Sequence, residues 1–313
     1  MKRREFLEKT LAGLGVAALP NLISPLMAAE TLDQAAVVAS DFSTDPVATV
    51  ALTPQIKTSR VGLGTGVHGG NRQCNLTRMN REKAVDIIRY CYDCGIRFFD
   101  LADMYGTHQL VAGALANKPR DQMTLSTKIW CHPGGVPEKE RPLADVLVER
   151  FLRELHTDYI DMVQLHCIFN TRWTTDLAHQ MEMLEKLKER GLIRAHGISC
   201  HSLAAAKQAA ELPWIDAFHI RINNANMRMD GTWDETADVT RLAKKNGKGL
   251  VAMKVLGEGG IKTPEGRRAS TEAVVRLGTI DTMIVGFEER AHVDEFLLNV
   301  ENTLKAMKAE ASV

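Results

Sequence analysis

The 313-residue sequence predicts a single (β/α)8 TIM barrel, an α/β fold in which eight parallel strands each lead into a helix. Three observations predict it. Short apolar runs alternate with helical patterns from about residue 47 onward. The alternation yields eight strand-and-helix units, and no shift in composition separates one unit from the next.

Before the barrel, an apolar run over 47–52, a Thr53-Pro54-Gln55 turn and a second run over 56–63 predict a β-hairpin. The eight strands are predicted at 61–64, 98–100, 124–128, 160–166, 195–199, 217–220, 250–253 and 283–285. Helical periodicity is clearest at 81–94, 143–155, 178–190, 235–246 and 293–307. An open, doubly wound sheet is the alternative arrangement. Gly64-Thr65-Gly66-Val67-His68-Gly69 satisfies the dinucleotide fingerprint G-x-G-x-x-G, which requires a helix directly behind it. About ten polar residues intervene before Arg81, so the segment is read as a flexible barrel loop.

At 45% hydrophobic and 25% charged residues, the chain has ample core material. A formal charge of zero and a pI near 7.1 give no basis for a nucleic-acid partner or a charged membrane surface. Residues 1–29 read as an export signal: Lys2-Arg3-Arg4-Glu5-Phe6-Leu7, an apolar run over 11–19, Pro20, then small residues Ala28-Ala29. The paired arginines followed by Phe-Leu resemble a twin-arginine signal, which implies the twin-arginine export machinery as a partner and a periplasmic or otherwise exported location. Residues 30–46 read as a polar linker, and 47–313 as the barrel.

Asp100, Lys128 and His166 each end a predicted strand, and Tyr105 follows Asp100 by five residues in the adjoining loop. Strand C-termini are where chemistry collects in such a barrel. These four groups suit hydride reduction of an aldehyde or ketone. Negative charge grows on the carbonyl oxygen, and Tyr105 can meet it with a proton. Lys128 is expected to lower the Tyr105 pKa, Asp100 to hold Lys128, and His166 to orient the carbonyl oxygen. Singly, each has a structural reading: a solvated lysine, a packed histidine, a helix-capping aspartate.

Together the four resemble the aldo-keto reductase family. Phe99-Asp100-Leu101-Ala102-Asp103-Met104-Tyr105-Gly106 is similar to its D-x-A-x-x-Y-G segment, and Ser126-Thr127-Lys128 to its strand-end lysine. The run from Asp158 to His166 resembles its D-Y-I-D-x-x-x-x-H segment, and Gly62-Leu63-Gly64-Thr65 and Gly197-Ile198-Ser199 its first and fifth strand ends. The resemblance spans about residues 47–305 and implies that the hairpin plugs the barrel bottom. It implies NADP or NAD lying extended over the mouth, held by Gly64, Thr65, Ser199, His219, Lys254, Gly257, Gly286, Phe287 and His292. Trp130, His68 and Trp173 are then expected in the substrate pocket, with walls from 68–74, 130–135, 167–173 and 223–233.

The chain departs from the family on the cofactor side. Cys200 stands where an Asn is usual, His219 where a Gln is usual, and Met253 where many members stack a Tyr. Gly286 replaces a frequent lysine, and His292 an arginine that often meets the 2′-phosphate. The lost charge weakens the case for NADP, although Lys254 and Arg290 are candidates to compensate. The chain also stops soon after the last helix, so no long closing loop is expected over the substrate.

His68, Cys74, Cys131-His132, Cys167, Cys200-His201 and His219 crowd the same strand ends. A metal-dependent enzyme is therefore one alternative, although no pair has zinc-type spacing. A non-catalytic nucleotide-binding regulatory barrel is another. Cys91 and Cys94 form C-x-x-C in an amphipathic helix, where packing is the simpler role. The combined expectation is an exported oxidoreductase acting on a small-molecule carbonyl or sugar, with its cofactor loaded before export and retained.

Overall fold

The computed structural model describes residues 42–137 and 142–312. The expected export signal and the linker as far as residue 41 lie outside them. Strands β1 (Thr49–Thr53) and β2 (Ile56–Ser59) form an antiparallel hairpin. The barrel strands are β3 (Val61–Gly64), β4 (Phe98–Asp100), β5 (Thr124–Ile129), β6 (Ile160–Ile168), β7 (Ile193–Cys200), β8 (Ala217–Arg221), β9 (Gly249–Met253) and β10 (Thr282–Val285). They close in the order β10-β3-β4-β5-β6-β7-β8-β9. Leu63 of β3 pairs in parallel with both Val285 and Phe99, so the sheet has no edge there and the open arrangement is excluded.

Side chains alternate across each strand. Phe98, Met162, Ala195, Ala217, Val251 and Ile284 cluster inside the barrel with Leu52 and Ile56 of the hairpin. Phe99, Val163, Ile198 and Phe218 join the outer core shared with the helices. The hairpin thus seals one end of the barrel. At the first residue of β9, a Cβ on Gly249 would lie 2.2 Å from the Leu52 carbonyl oxygen. The same period of two carries the inward side up each strand, from Phe98 to Asp100, from Met162 to His166, and from Ala217 to His219. Chemistry and plug therefore occupy opposite ends.

Helix boundaries follow local signals. Asn80 caps the helix Arg81–Asp93 by accepting from the backbone N–H groups of Glu82 and Lys83, and Gly95, at φ 92°, lies just beyond it. Thr232 and Glu235 form a capping box ahead of Trp233–Lys245. Two helices, Leu203–Glu211 and Pro264–Arg276, lack a strong periodic signal for a physical reason. The first buries only alanines, and the second buries Ser270 and Thr271 beside a single valine. Cys91 is packed in the outer core, Cys94 ends its helix, and no disulfide joins the described cysteines.

Candidate active site

Three strand ends, β4 to β6, and the turn behind β4 bring the tetrad together. Lys128 donates from Nζ to Asp100 Oδ1 at 2.6 Å and to the Leu101 carbonyl oxygen at 2.8 Å. Tyr105 closes a single 3-10 turn, Asp103–Tyr105, behind β4, and its hydroxyl lies 3.2 Å from His166 Nε2. The Tyr105 ring meets the His166 ring edge to face at 5.4 Å, and Trp130 makes a second T-shaped contact with His166 at 5.4 Å. Lys128 Nζ sits 5.1 Å from the centre of the Tyr105 ring.

His219 is also part of this group. Its Nε2 lies 2.9 Å from Asp100 Oδ1 and its side chain is fully buried, so it supports the tetrad from below rather than lining the cavity. Burial opposes its protonation and outweighs the pull of Asp100, which leaves it neutral with its proton on Nε2 to donate. Although burial alone would raise the Asp100 carboxyl, Lys128 and His219 hold it below its usual range. Burial and the nearby Lys128 charge keep His166 well below the ordinary histidine value, hence neutral.

Tyr105 departs from the expected direction. Burial, then the negative charge of Asp100, push its phenol well above 10. The reason is geometric: the charge of Lys128 is already met by Asp100 and a carbonyl within 3 Å. The phenol is therefore a protonated donor held beside a neutral imidazole.

The glycine-rich loop after β3 has a role that its fingerprint did not suggest. A Cβ on Gly66 would fall 2.2 Å from the Tyr105 ring, and one on Gly69 would fall 2.6 Å from it. Both glycines let the phenol lie on bare backbone. Behind the turn, Asp103 accepts from Arg72 Nε at 2.9 Å and from Arg150 Nη2 at 2.7 Å. Glu154 joins Arg150 to His108, which also meets Thr127 Oγ1 at 2.7 Å. Sequence patterns gave no sign of this network, because its members come from five separate segments.

A cavity of about 420 Å3 opens from the tetrad, with Asp100 and Tyr105 at one end. Of the residues expected around a cofactor, Gly64, Lys254, Gly286, Phe287 and His292 line it. Gly257 is buried beside them, with Met227 close to where its Cβ would be. Thr65 is turned down to the Asp100 carbonyl and Thr107, and Ser199 Oγ accepts from the Cys167 backbone N–H. His68 is turned to Asn75, and Trp173 is buried against Trp214, so neither lines this cavity.

The donor set suits a nicotinamide dinucleotide. Gly64, Gly66 and Gly286 present backbone, Lys254, Lys262 and Arg267 bring cations, and Phe287 and Phe296 offer flat rings. A Cβ on Gly286 would meet Val67 at 2.4 Å and crowd that wall. Opposing carboxylates were not expected from the sequence: Arg267 is paired by two hydrogen bonds with Glu295, and Lys254 with Glu258.

On the other side of the mouth, Cys167 Sγ lies 3.4 Å from His201 Nε2. Burial pushes the Cys167 thiol up to about 12 and His201 down to about 3, so both are uncharged. Among the described residues, no three His, Cys, Asp or Glu side chains converge as a metal would require.

The profile of the Aldo/keto reductase family matches residues 60–309. An NADH-specific methylglyoxal reductase of Escherichia coli (strain K12) is 33% identical over 161 residues, 46% of this chain and 49% of its own length. D-arabinose 1-dehydrogenase of Saccharomyces cerevisiae is 32% identical over 119 residues, 36% of this chain and 35% of its own. The chain thus spans about half the length, or less, of these curated relatives. Among solved structures, a Pseudomonas aeruginosa chain described as an aldo-keto reductase superposes with a TM-score of 0.64 at 25% identity. That match covers 85% of this chain and 95% of the other. Aldo-keto reductase AKR11C1 of Bacillus halodurans shares the fold, with a TM-score of 0.62 at 19% identity over 83% of this chain and 96% of its own. A profile that spans the barrel, over a mouth built as described, shows that the chain belongs to the aldo/keto reductase family.

Proposed function

We propose that this chain is an exported oxidoreductase that interconverts a small carbonyl compound, such as a sugar or keto-sugar, with its alcohol using a nicotinamide cofactor. The observation that carries this is the Tyr105 hydroxyl, protonated and 3.2 Å from a neutral His166, in the wall of a cavity suited to a dinucleotide. NAD(P)H, when bound, supplies hydride to the carbonyl carbon. Lys262, which has no carboxylate partner among the described residues, and Lys254 are the cations available to the pyrophosphate.

The chain's own part is proton delivery. As the carbonyl oxygen gains negative charge, Tyr105 gives it the phenolic proton, and His166 fixes the oxygen by hydrogen bonding. The phenolate left behind lies near the Lys128 ammonium, 5.1 Å from the ring centre. Asp100 and His219 keep that ammonium fixed, so little has to rearrange during transfer. Alcohol oxidation runs the same path backwards.

Tyr105→Phe is the test. It removes the proton donor and keeps the ring, so carbonyl reduction should fall by at least about a hundredfold while cofactor affinity holds. Reduction at the native rate would overturn the reading.

Export rests on the N-terminal sequence, and cofactor retention on the loop after β9. Lys254 and Glu258 both hold left-handed φ values, near 60°, which only firm contacts maintain. Glu258 pairs with Lys254 and Arg228 and takes a hydrogen bond from the His68 backbone, tying this loop to the one after β3. Protein recovered from the periplasm should carry the absorbance band of reduced nicotinamide. An empty barrel there, or a chain confined to the cytoplasm, would count against export with a bound cofactor.

A further inference from the structure

A strained residue follows His166 directly. Leu165 pairs with Ile198 and Ile168 with Cys200, so His166 and Cys167 of β6 stand opposite Ser199 alone, as a β-bulge. Cys167 absorbs the extra residue with a left-handed φ of 58°, which a non-glycine residue keeps only where its surroundings hold it. The bulge also resets the alternation of the strand. By a period of two Ile168 would follow His166 into the barrel, yet it packs in the outer core.

Each polar group of Cys167 is tied to a different side chain. Its backbone N–H donates to Ser199 Oγ at 2.8 Å, its carbonyl oxygen lies 2.8 Å from His132 Nε2, and its Sγ lies 3.4 Å from His201 Nε2. His132 Nε2 also reaches the His166 carbonyl oxygen, at 3.1 Å. Both of these oxygens can only accept, so His132 Nε2 carries a proton and donates. The His132 ring packs against Trp130 at 5.0 Å, and Trp130 against His166 at 5.4 Å. His132, in the loop after β5, therefore bears on His166 twice, at its backbone and, through Trp130, at its ring.

His166 needs that hold. Its Nε2 meets the Tyr105 hydroxyl, but its buried Nδ1 has no hydrogen-bond partner among the described residues. A catalytic imidazole is commonly aimed by the bond that its second nitrogen makes; here the aim has to come from the backbone and the packed rings. We infer that His132 is a positioning residue for His166: it clamps the bulge at Cys167 and so fixes where the imidazole meets Tyr105 and the carbonyl oxygen. Its kinetic consequence rests on the oxidoreductase reading above, whereas the clamp itself does not.

The test is the ring-nitrogen NMR spectrum of the full chain carrying nitrogen-labelled histidine, with the His166 signals identified by their loss in His166→Gln. Tyr105→Phe supplies the reference position of His166 Nε2 without its hydrogen bond. His132→Phe keeps a flat ring and removes the donor, and should move the Nε2 signal toward that reference. His132→Gln puts an amide N–H within reach of the same carbonyls, and should hold the signal near its wild-type position. Adding Cys167→Gly to His132→Phe should bring the signal part of the way back, because glycine holds a left-handed φ without strain. With ethyl pyruvate as the carbonyl probe, His132→Phe should lower kcat about tenfold at unchanged KM for the nucleotide and shift the enantiomer ratio of the ethyl lactate formed. His132→Gln should restore both. A His166 signal unmoved in His132→Phe, or moved equally in His132→Gln, would overturn the assignment. If His132→Phe does not fold, Ser199→Ala decides: it removes the other backbone tie and should move the signal the same way. A wild type that binds neither NADH nor NADPH would overturn the oxidoreductase reading instead, and the NMR signals would still decide the role of His132.

Discussion

Beside Tyr105 the charges are buried in one closed group, whereas toward the last helix they are more exposed pairs between helices or within a loop. The Asp100 and Lys128 side chains are 3% and 1% exposed and share His219. Glu295 and Arg267 are 34% and 26% exposed and pair through two hydrogen bonds, and Arg267 also donates to the Lys262 carbonyl oxygen. Removing one partner of a buried pair strands a charge and costs about 3–5 kcal/mol, whereas a half-exposed pair contributes about 1 kcal/mol or less. The first region is built to hold one geometry, and the second can change its ligand without unfolding the barrel.

The strongest way to break the contrast is Lys128→Met. It should cost about 3–5 kcal/mol of stability, because Asp100 is left buried with only a neutral histidine, and should reduce turnover at least a hundredfold, by about the margin expected when a general acid loses its charge partner. Chemical denaturation and steady-state kinetics measure the two losses. Adding Asp100→Asn should restore much of the stability and none of the turnover. If the double variant recovers both, the buried pair is only structural.

Next in size is Gly66→Ala, which alters no charge. Its Cβ would overlap the Tyr105 ring, so the hydroxyl must move relative to His166. A displacement of about 1 Å at a proton donor lowers kcat by about a hundredfold. KM and cofactor affinity should change little, and unchanged kcat would show that the loop yields instead of the ring.

Acid should act on the buried histidines before it reaches the surface pairs. His201 is held down to about 3 by burial and then Arg221, His196 to about 4 by burial, and His166 and His219 are also depressed. Unfolded imidazoles take protons near pH 6.5, so below that value the unfolded chain binds more protons than the folded one. Stability should therefore be full above about pH 6.5 and fall on acidification, by up to about 1.4 kcal/mol per pH unit for each histidine. Thermal melts from pH 7 to 5 would measure the slope, and His201→Gln should reduce it. A flat profile would mean that these imidazoles are protonated in the fold.

The tetrad was legible in the sequence because period-two alternation and strand ends jointly specify which side chains face the mouth. Asp100, Lys128 and His166 each end an apolar run, and one turn adds Tyr105. His219 obeys the same period, but its partner, Asp100, lies 119 residues earlier, and no local pattern joins them. The Gly66 and Gly69 cradle was hidden because a glycine-rich loop reads alike whether it approaches a phosphate or a phenol. The opposing acids of the wall were hidden for a related reason: Arg267 and Glu295 are 28 residues apart on successive helices, and only the packing of those helices side by side brings them together. Sequence differences at Gly286 and His292 did register a loss of positive charge; the structure adds that Arg290 does not replace it.

The smallest effect sharpens the comparison most, because it separates retention from chemistry. Glu258→Gln keeps the shape of the loop after β9 but removes the charge shared with Lys254 and Arg228. The loop's left-handed backbone at Lys254 and Glu258 then loses part of what holds it. Cofactor release should quicken about fivefold, consistent with about 1 kcal/mol for a partly exposed pair, while the rate of a single turnover stays unchanged. Stopped-flow chase of bound NADH against excess unlabelled cofactor measures the release, and single-turnover reduction measures the chemistry. Quickened release at constant chemistry would place retention in the pairs of this loop; a fall in the single-turnover rate as well would mean that Glu258 also positions Tyr105, and the two regions are then mechanically one.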